Sequence, residues 1–72
     1  MSLSRVEKAI RRSRLRTVER ALYRAASDLR LARDDAQYIR LGLLAESCEA
    51  VALQADDLRR WVVEHRDEEL AG

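Results

Sequence analysis

Little in this chain has the makings of a reaction centre. It holds one histidine, His65, one cysteine, Cys48, and no glycine-rich loop of the kind that cradles phosphate. No pair of His, Cys or carboxylate residues at metal-ligand spacing is supported by a second such pair. Glu46/Glu49 and Asp56/Asp57 lie close in sequence, but helical spacing sends them to an outer face, where solvated charge is the ordinary outcome. Cys48 falls on an apolar stripe, and a thiol among aliphatic side chains is inert. His65 follows Val62 near the end of that stripe and reads as a structural histidine. No catalytic, cofactor-binding or metal site is expected.

Arginine offers a second chemistry. Arg5, Arg11, Arg12, Arg14, Arg16, Arg20 and Arg24 are dense enough to contact phosphates. They are spread around a helix rather than gathered on one face, and an acidic segment follows in the same chain. For stacking on bases there are only Tyr23, Tyr38 and Trp61. A charge-balanced, solvated helix without nucleic acid is the better reading; an RNA-binding or regulatory hairpin homodimer is the alternative.

The elements that carry these residues are legible from charge. Residues 1–33 hold ten Arg/Lys against three Asp/Glu, and residues 34–72 hold four against ten. Two helices of opposite charge, folded back on each other, neutralise one another along their flanks. There is no proline, and Gly42 is the one internal glycine. Ser4-Arg5-Val6-Glu7 is a capping box that starts the first helix. Asp34, with Gln37 three residues on, is a second cap signal. The expected fold is all-α, an antiparallel coiled-coil-like hairpin in a single domain over residues 1–72. Helix 1 covers about 4–32, the turn about 33–36, helix 2 about 36–66, and 67–72 form a frayed tail. Helix 2 is expected to run unbroken through Gly42, the alternative being that Gly42 ends a short helix with a left-handed cap.

The core follows from periodicity. Leu15, Val18, Leu22, Ala25/Ala26 and Leu29 form one helical stripe, and Leu41, Leu44, Cys48, Val51, Ala55, Leu58 and Val62 form another. With a turn near residue 35, facing residues have numbers adding to about 70. Leu29 then meets Leu41, Ala26 meets Leu44, Leu22 meets Cys48, Val18 meets Val51 and Leu15 meets Ala55. Each pair is apolar on both sides.

Some apolar residues are left over. Leu3, Val6 and Ile10 form a stripe rotated about 120° from the first seam, at 100° per residue. Ile39, Leu43, Ala50 and Trp61 make a shoulder beside the second, with Leu53 on the back. A chain of 72 residues buries only about 60% of its unfolded surface, and two helices have no second layer to receive a shoulder. The sequence therefore predicts that another polypeptide covers Leu3, Val6, Ile10, Ile39, Leu43 and Trp61, and that the isolated chain self-associates. No apolar run approaches the ~20 residues of a membrane span, so no membrane partner is expected. A lone thiol without a secretory signal points to a reducing cytoplasm.

Nearly the whole chain resembles the YscE/SsaE/EscE family of type III secretion needle-protein co-chaperones. Ser2-Leu3-Ser4-Arg5-Val6-Glu7 is similar to that family's opening of hydroxyl, Leu, hydroxyl, Arg, aliphatic and acid. Ser13 falls where SsaE-type members also carry serine. Asp35-Ala36-Gln37-Tyr38 is similar to the family's Asp-Pro-…-Gln-Tyr pattern at the turn and the start of the second helix, with Ala36 in place of proline. Leu43-Leu44-Ala45-Glu46 with Glu49-Ala50 looks like its Leu-Leu-(Leu/Ala)-Glu run. The resemblance implies a non-enzymatic cytosolic hairpin, hence a virulence-associated protein, that binds a tetratricopeptide-like chaperone. That pair would hold the needle subunit soluble and monomeric before export, with most of the grip coming from the partner.

Overall fold

The computed structural model describes residues 4–71, and the side chains within that range except those at 67 and 69–71. Two helices, α1 (Arg5–Tyr38) and α2 (Gly42–Ala71), fold back on each other into a rod of 54 × 15 × 12 Å. The all-α antiparallel hairpin expected from the sequence is the observed architecture. At the start of α1 the Glu7 amide donates to Ser4 Oγ at 3.1 Å, which satisfies one of the helix's unpaired first-turn donors.

The turn lies later than expected. Asp34, Asp35, Ala36 and Gln37 all belong to α1, so the region around 33–36 is helix and the second cap signal at Asp34 is not used. Asp34 instead accepts from its neighbour Arg33. The chain reverses at Ile39–Leu41. There the Arg40 amide donates to the Gln37 carbonyl at 3.0 Å and the Leu41 amide to the Ala36 carbonyl at 2.8 Å. These two bonds, with a left-handed residue between them, make a Schellman ending. The left-handed position is Arg40, at φ 65°. A residue other than glycine gives up about 1–2 kcal/mol there.

Gly42 does not sit inside a continuous helix, as the sequence suggested, but opens α2. A Cβ at Gly42 would meet nothing within 4 Å. The Leu41 carbonyl accepts the first bond of α2, from the Ala45 amide.

Moving the turn moves the register. Facing numbers now add to a little over 80 rather than 70: Arg33 pairs with Glu49, Arg59 sits over Tyr23, and Ala26 clusters with Ala52 and Ala55. The pairing of Leu29 with Leu41, Ala26 with Leu44, Leu22 with Cys48, Val18 with Val51 and Leu15 with Ala55 is therefore corrected.

The seam is built from small residues. Ala26, Ala36, Ala45, Ala52, Ala55 and Val62 are buried, and Ala26, Ala52 and Ala55 form one cluster with Leu22 and Leu29 against it. Of the expected core, Ala55 and Val62 are buried, and Leu15, Leu22, Leu29 and Cys48 are half-buried. Val18, Leu41, Leu44, Val51 and Leu58 are corrected from core to surface, since all five are exposed. The reason is steric. On α2 two apolar stripes run side by side, one of Ala45, Cys48, Ala52 and Ala55, the other of Leu44, Val51 and Leu58. Only the small one lets the two backbones approach closely, and the late turn brings it to face α1. A seam methyl contributes on the order of 0.8 kcal/mol where a buried Leu or Val contributes about 1.5–3, so the hairpin interior is thin.

Candidate docking face

The two helices lie side by side, which gives the hairpin two broad faces. Helical phase at about 100° per residue, checked against exposure, sorts the residues between them.

One face is polar and ties the helices together. Arg30 donates to Asp56, Arg33 donates to both Glu49 and Asp34, and Arg66 lies 3.5 Å from Glu19. The Arg59 guanidinium sits over the Tyr23 ring, 5.0 Å from its centroid, within range of a cation–π contact. The Arg30 hydrogen bond holds the Asp56 carboxyl below the usual carboxylate range, with partial desolvation acting against it. The same bond raises Arg30, and the hydrogen bonds Arg33 donates to Asp34 and Glu49 raise Arg33. These pairs are partly exposed, so each contributes modestly to stability. The expectation that opposite charges on the two helices meet along a flank holds on this face. Here also Arg12, Arg16 and Arg20 follow at four-residue steps, with Arg24 continuing the row toward the outer edge. A shallow groove beside them is lined by Tyr23, Arg24, Ser27 and Arg59.

The other face is apolar. From α1 it receives Val18, Ala25 and Ala32, and from α2 Leu44, Val51 and Leu58, with half-buried Leu22, Leu29 and Cys48 along its floor. Val18, Leu44, Val51 and Leu58 are 43%, 51%, 47% and 57% exposed. Leu44, Val51 and Leu58 of the second stripe of the sequence are turned to solvent, whereas its Cys48, Ala55 and Val62 stay at the seam.

The residues expected to bind a partner are distributed around that face. Val6, Ile10, Ile39, Leu43 and Trp61 are all exposed, whereas Leu3 lies outside the described residues. Ile10 borders the apolar face along the α1 edge, and Leu43 and Trp61 border it along the α2 edge. Val6 points farther outward, and Ile39 caps α1 at the turn. The structure therefore does not gather the five described residues into one patch; Ile10, Leu43 and Trp61 rim a larger patch that includes residues expected in the core. Trp61 stacks on His65, with ring centroids 4.4 Å apart and planes 13° from parallel.

The groups capable of chemistry stay separate. His65 Nδ1 lies 2.9 Å from the Trp61 carbonyl of its own helix. Cys48 is a half-buried free thiol. Seventeen positions along one helix separate the two by about 25 Å, so they form no nucleophile–base pair. Among the described residues no three His, Cys, Asp or Glu side chains are grouped to hold a metal ion, and no helix is long and apolar enough to cross a membrane.

The chain matches no protein-family model, no curated protein and no solved structure. One element of the family resemblance is also displaced. Asp35-Ala36-Gln37-Tyr38, the segment likened to the turn and the start of a second helix, forms the last turn of α1.

Proposed function

We propose that the chain is a non-enzymatic docking subunit, a cytoplasmic co-chaperone of the type III secretion kind. Its apolar face packs against a tetratricopeptide-like chaperone, and the pair keeps a needle subunit soluble and monomeric before export. The observation that carries this reading is an inversion: alanines occupy the seam while Leu44, Val51, Leu58 and Val18 stand outside it. A hairpin that closes on small residues and lines up Val18, Leu44, Val51 and Leu58 along one face offers that face to other helices. Paired helices of a tetratricopeptide array offer such a surface. The choice of partner rests on the resemblance, through the Ser2–Glu7 opening and the Leu43-Leu44-Ala45-Glu46 run, and not on the displaced turn segment.

Affinity purification of the chain from its host tests this. The expected product is a soluble complex holding a tetratricopeptide-type protein and a small helical needle subunit, stable from low to high salt because the interface is mainly apolar. Recovery of RNA instead, with affinity collapsing as salt rises, would favour the RNA-binding alternative, for which the Arg12/Arg16/Arg20 row is the supporting feature.

A further inference from the structure

We propose that, without its partner, the chain closes the apolar face with a second copy of itself, laid antiparallel to the first as a four-helix bundle. The proposal rests on the reading of this face as the docking surface and adds what occupies it when the chaperone is absent. Two observations select a second copy and fix its direction. The first is self-complementarity. The face is a strip of medium-sized aliphatic side chains (Val18, Leu44, Val51, Leu58) over a floor of Leu22, Leu29 and alanines, so two copies related by a twofold axis can interdigitate.

The second observation is the charge along the rod. Residues 25–56, the turn half, carry three arginines against six carboxylates, net −3; residues 4–24 and 57–71, the open half, carry eleven basic against seven acidic residues, net +4. The same polarity marks the α1 edge of the face, where exposed Arg14 stands toward the open end and exposed Asp28 and Asp35 toward the turn. A parallel dimer would set like ends together. An antiparallel one lays each basic half over the acidic half of its mate, with Arg14 near the other copy's Asp28. The homodimer and the chaperone complex would then be mutually exclusive, since both use Val51 and Leu58.

Sedimentation equilibrium of the full chain tests the occupant. A dimer is expected, and its dissociation constant should rise at least about thirtyfold in Val51→Asp or Leu58→Asp with helical circular dichroism retained, because a charge would be buried unpaired. Leu53→Asp, on the opposite side of α2 and 51% exposed, should leave the dimer intact. Salt should weaken the antiparallel dimer and would strengthen a parallel one. Electron–electron distance measurement with a spin label at Tyr38→Cys in a Cys48→Ala background reads the direction. Turns at opposite ends of a 54 Å rod place the labels beyond about 35 Å, whereas turns side by side place them within about 20 Å. A monomer at 100 µM (on the order of the weakest specific self-association worth the name), a short label distance, or a dimer broken by Leu53→Asp but not by Val51→Asp would each overturn the proposal. A dimer with these properties but no chaperone in the purified complex would instead overturn the proposed function and leave this inference standing.

Discussion

Neighbouring positions 51 and 52 should respond to substitution in opposite ways, and the contrast tests the seam. Ala52 is fully buried and Val51 is 47% exposed. Replacing Ala52 by Leu adds three carbons where Ala26, Ala55, Leu22 and Leu29 already meet. Overpacking of that kind costs about 1–3 kcal/mol, because either the helices separate or the new side chain leaves its rotamer. Val51→Ala removes two methyl carbons that are only half desolvated in the monomer, a loss of about 0.8 kcal/mol. Alanine's better helix propensity returns up to about 0.6 kcal/mol, so the net change should stay below about 0.5 kcal/mol. Urea unfolding followed by circular dichroism, at protein concentrations dilute enough to avoid association, measures both. Had Leu44, Val51 and Leu58 filled the seam, the order would reverse, with Val51→Ala costing more than 1 kcal/mol and Ala52→Leu almost nothing. That reversed order would refute the alanine seam and the register built on it.

Four further outcomes follow from the turn, an ion pair and the cap. Arg40→Gly should stabilise the hairpin by about 0.5–1 kcal/mol, because glycine adopts the left-handed φ without a steric cost but loses more chain entropy; Gly42→Ala should stabilise by about 0.5–1 kcal/mol through propensity, and a loss of stability in either would show the turn is elsewhere. Asp56 has a lowered carboxyl pKa in the fold, so its contribution is complete above the ordinary value of about 3.9 and lost as pH falls through the depressed one. The gap in stability between the native chain and Asp56→Asn should accordingly close below about pH 4 in urea titrations, and a gap that widens in acid would contradict the Arg30–Asp56 pairing. Ser4→Ala should cost about 0.5–2 kcal/mol of helix stability, seen by amide exchange as faster opening confined to the first turn of α1.

What the sequence disclosed, and what it hid, has a physical pattern. The hairpin itself was legible because both halves carry helical period and opposite charge, and Ser4 marked the start of α1 by a side chain that can do only a few things there. The turn was hidden because its left-handed residue is Arg40, which carries no signature of a helix end. Asp34-Asp35 imitate a turn yet both sit as exposed residues of α1, Asp34 toward the polar face and Asp35 at the edge of the apolar one. Apolar size points to the wrong seam, because the largest apolar side chains of α2 are not the buried ones. Leu44, Val51 and Leu58 lie one position before Ala45, Ala52 and the Arg59 level, so a one-residue rotation exchanges them. The usable signal was the alanine repeat, Ala45, Ala52 and Ala55 against Ala26 and Ala36, with Gly42 just after the reversal. Ile10, Leu43 and Trp61 lie off the seam and exposed, as their helical phase implies, but the patch they border includes residues whose period points to the interior.

Oxidative footprinting of the chain, free at high dilution and in the complex purified from its host, tests most directly whether the apolar face is where a partner docks. Leu44, Val51, Leu58 and Trp61 should lose most of their reactivity on complex formation, while Tyr38, 89% exposed at the turn, and Leu53, on the other side of α2, should keep theirs. Protection of Tyr38 and Leu53, with Val51 and Leu58 as reactive as in the free chain, would contradict the account.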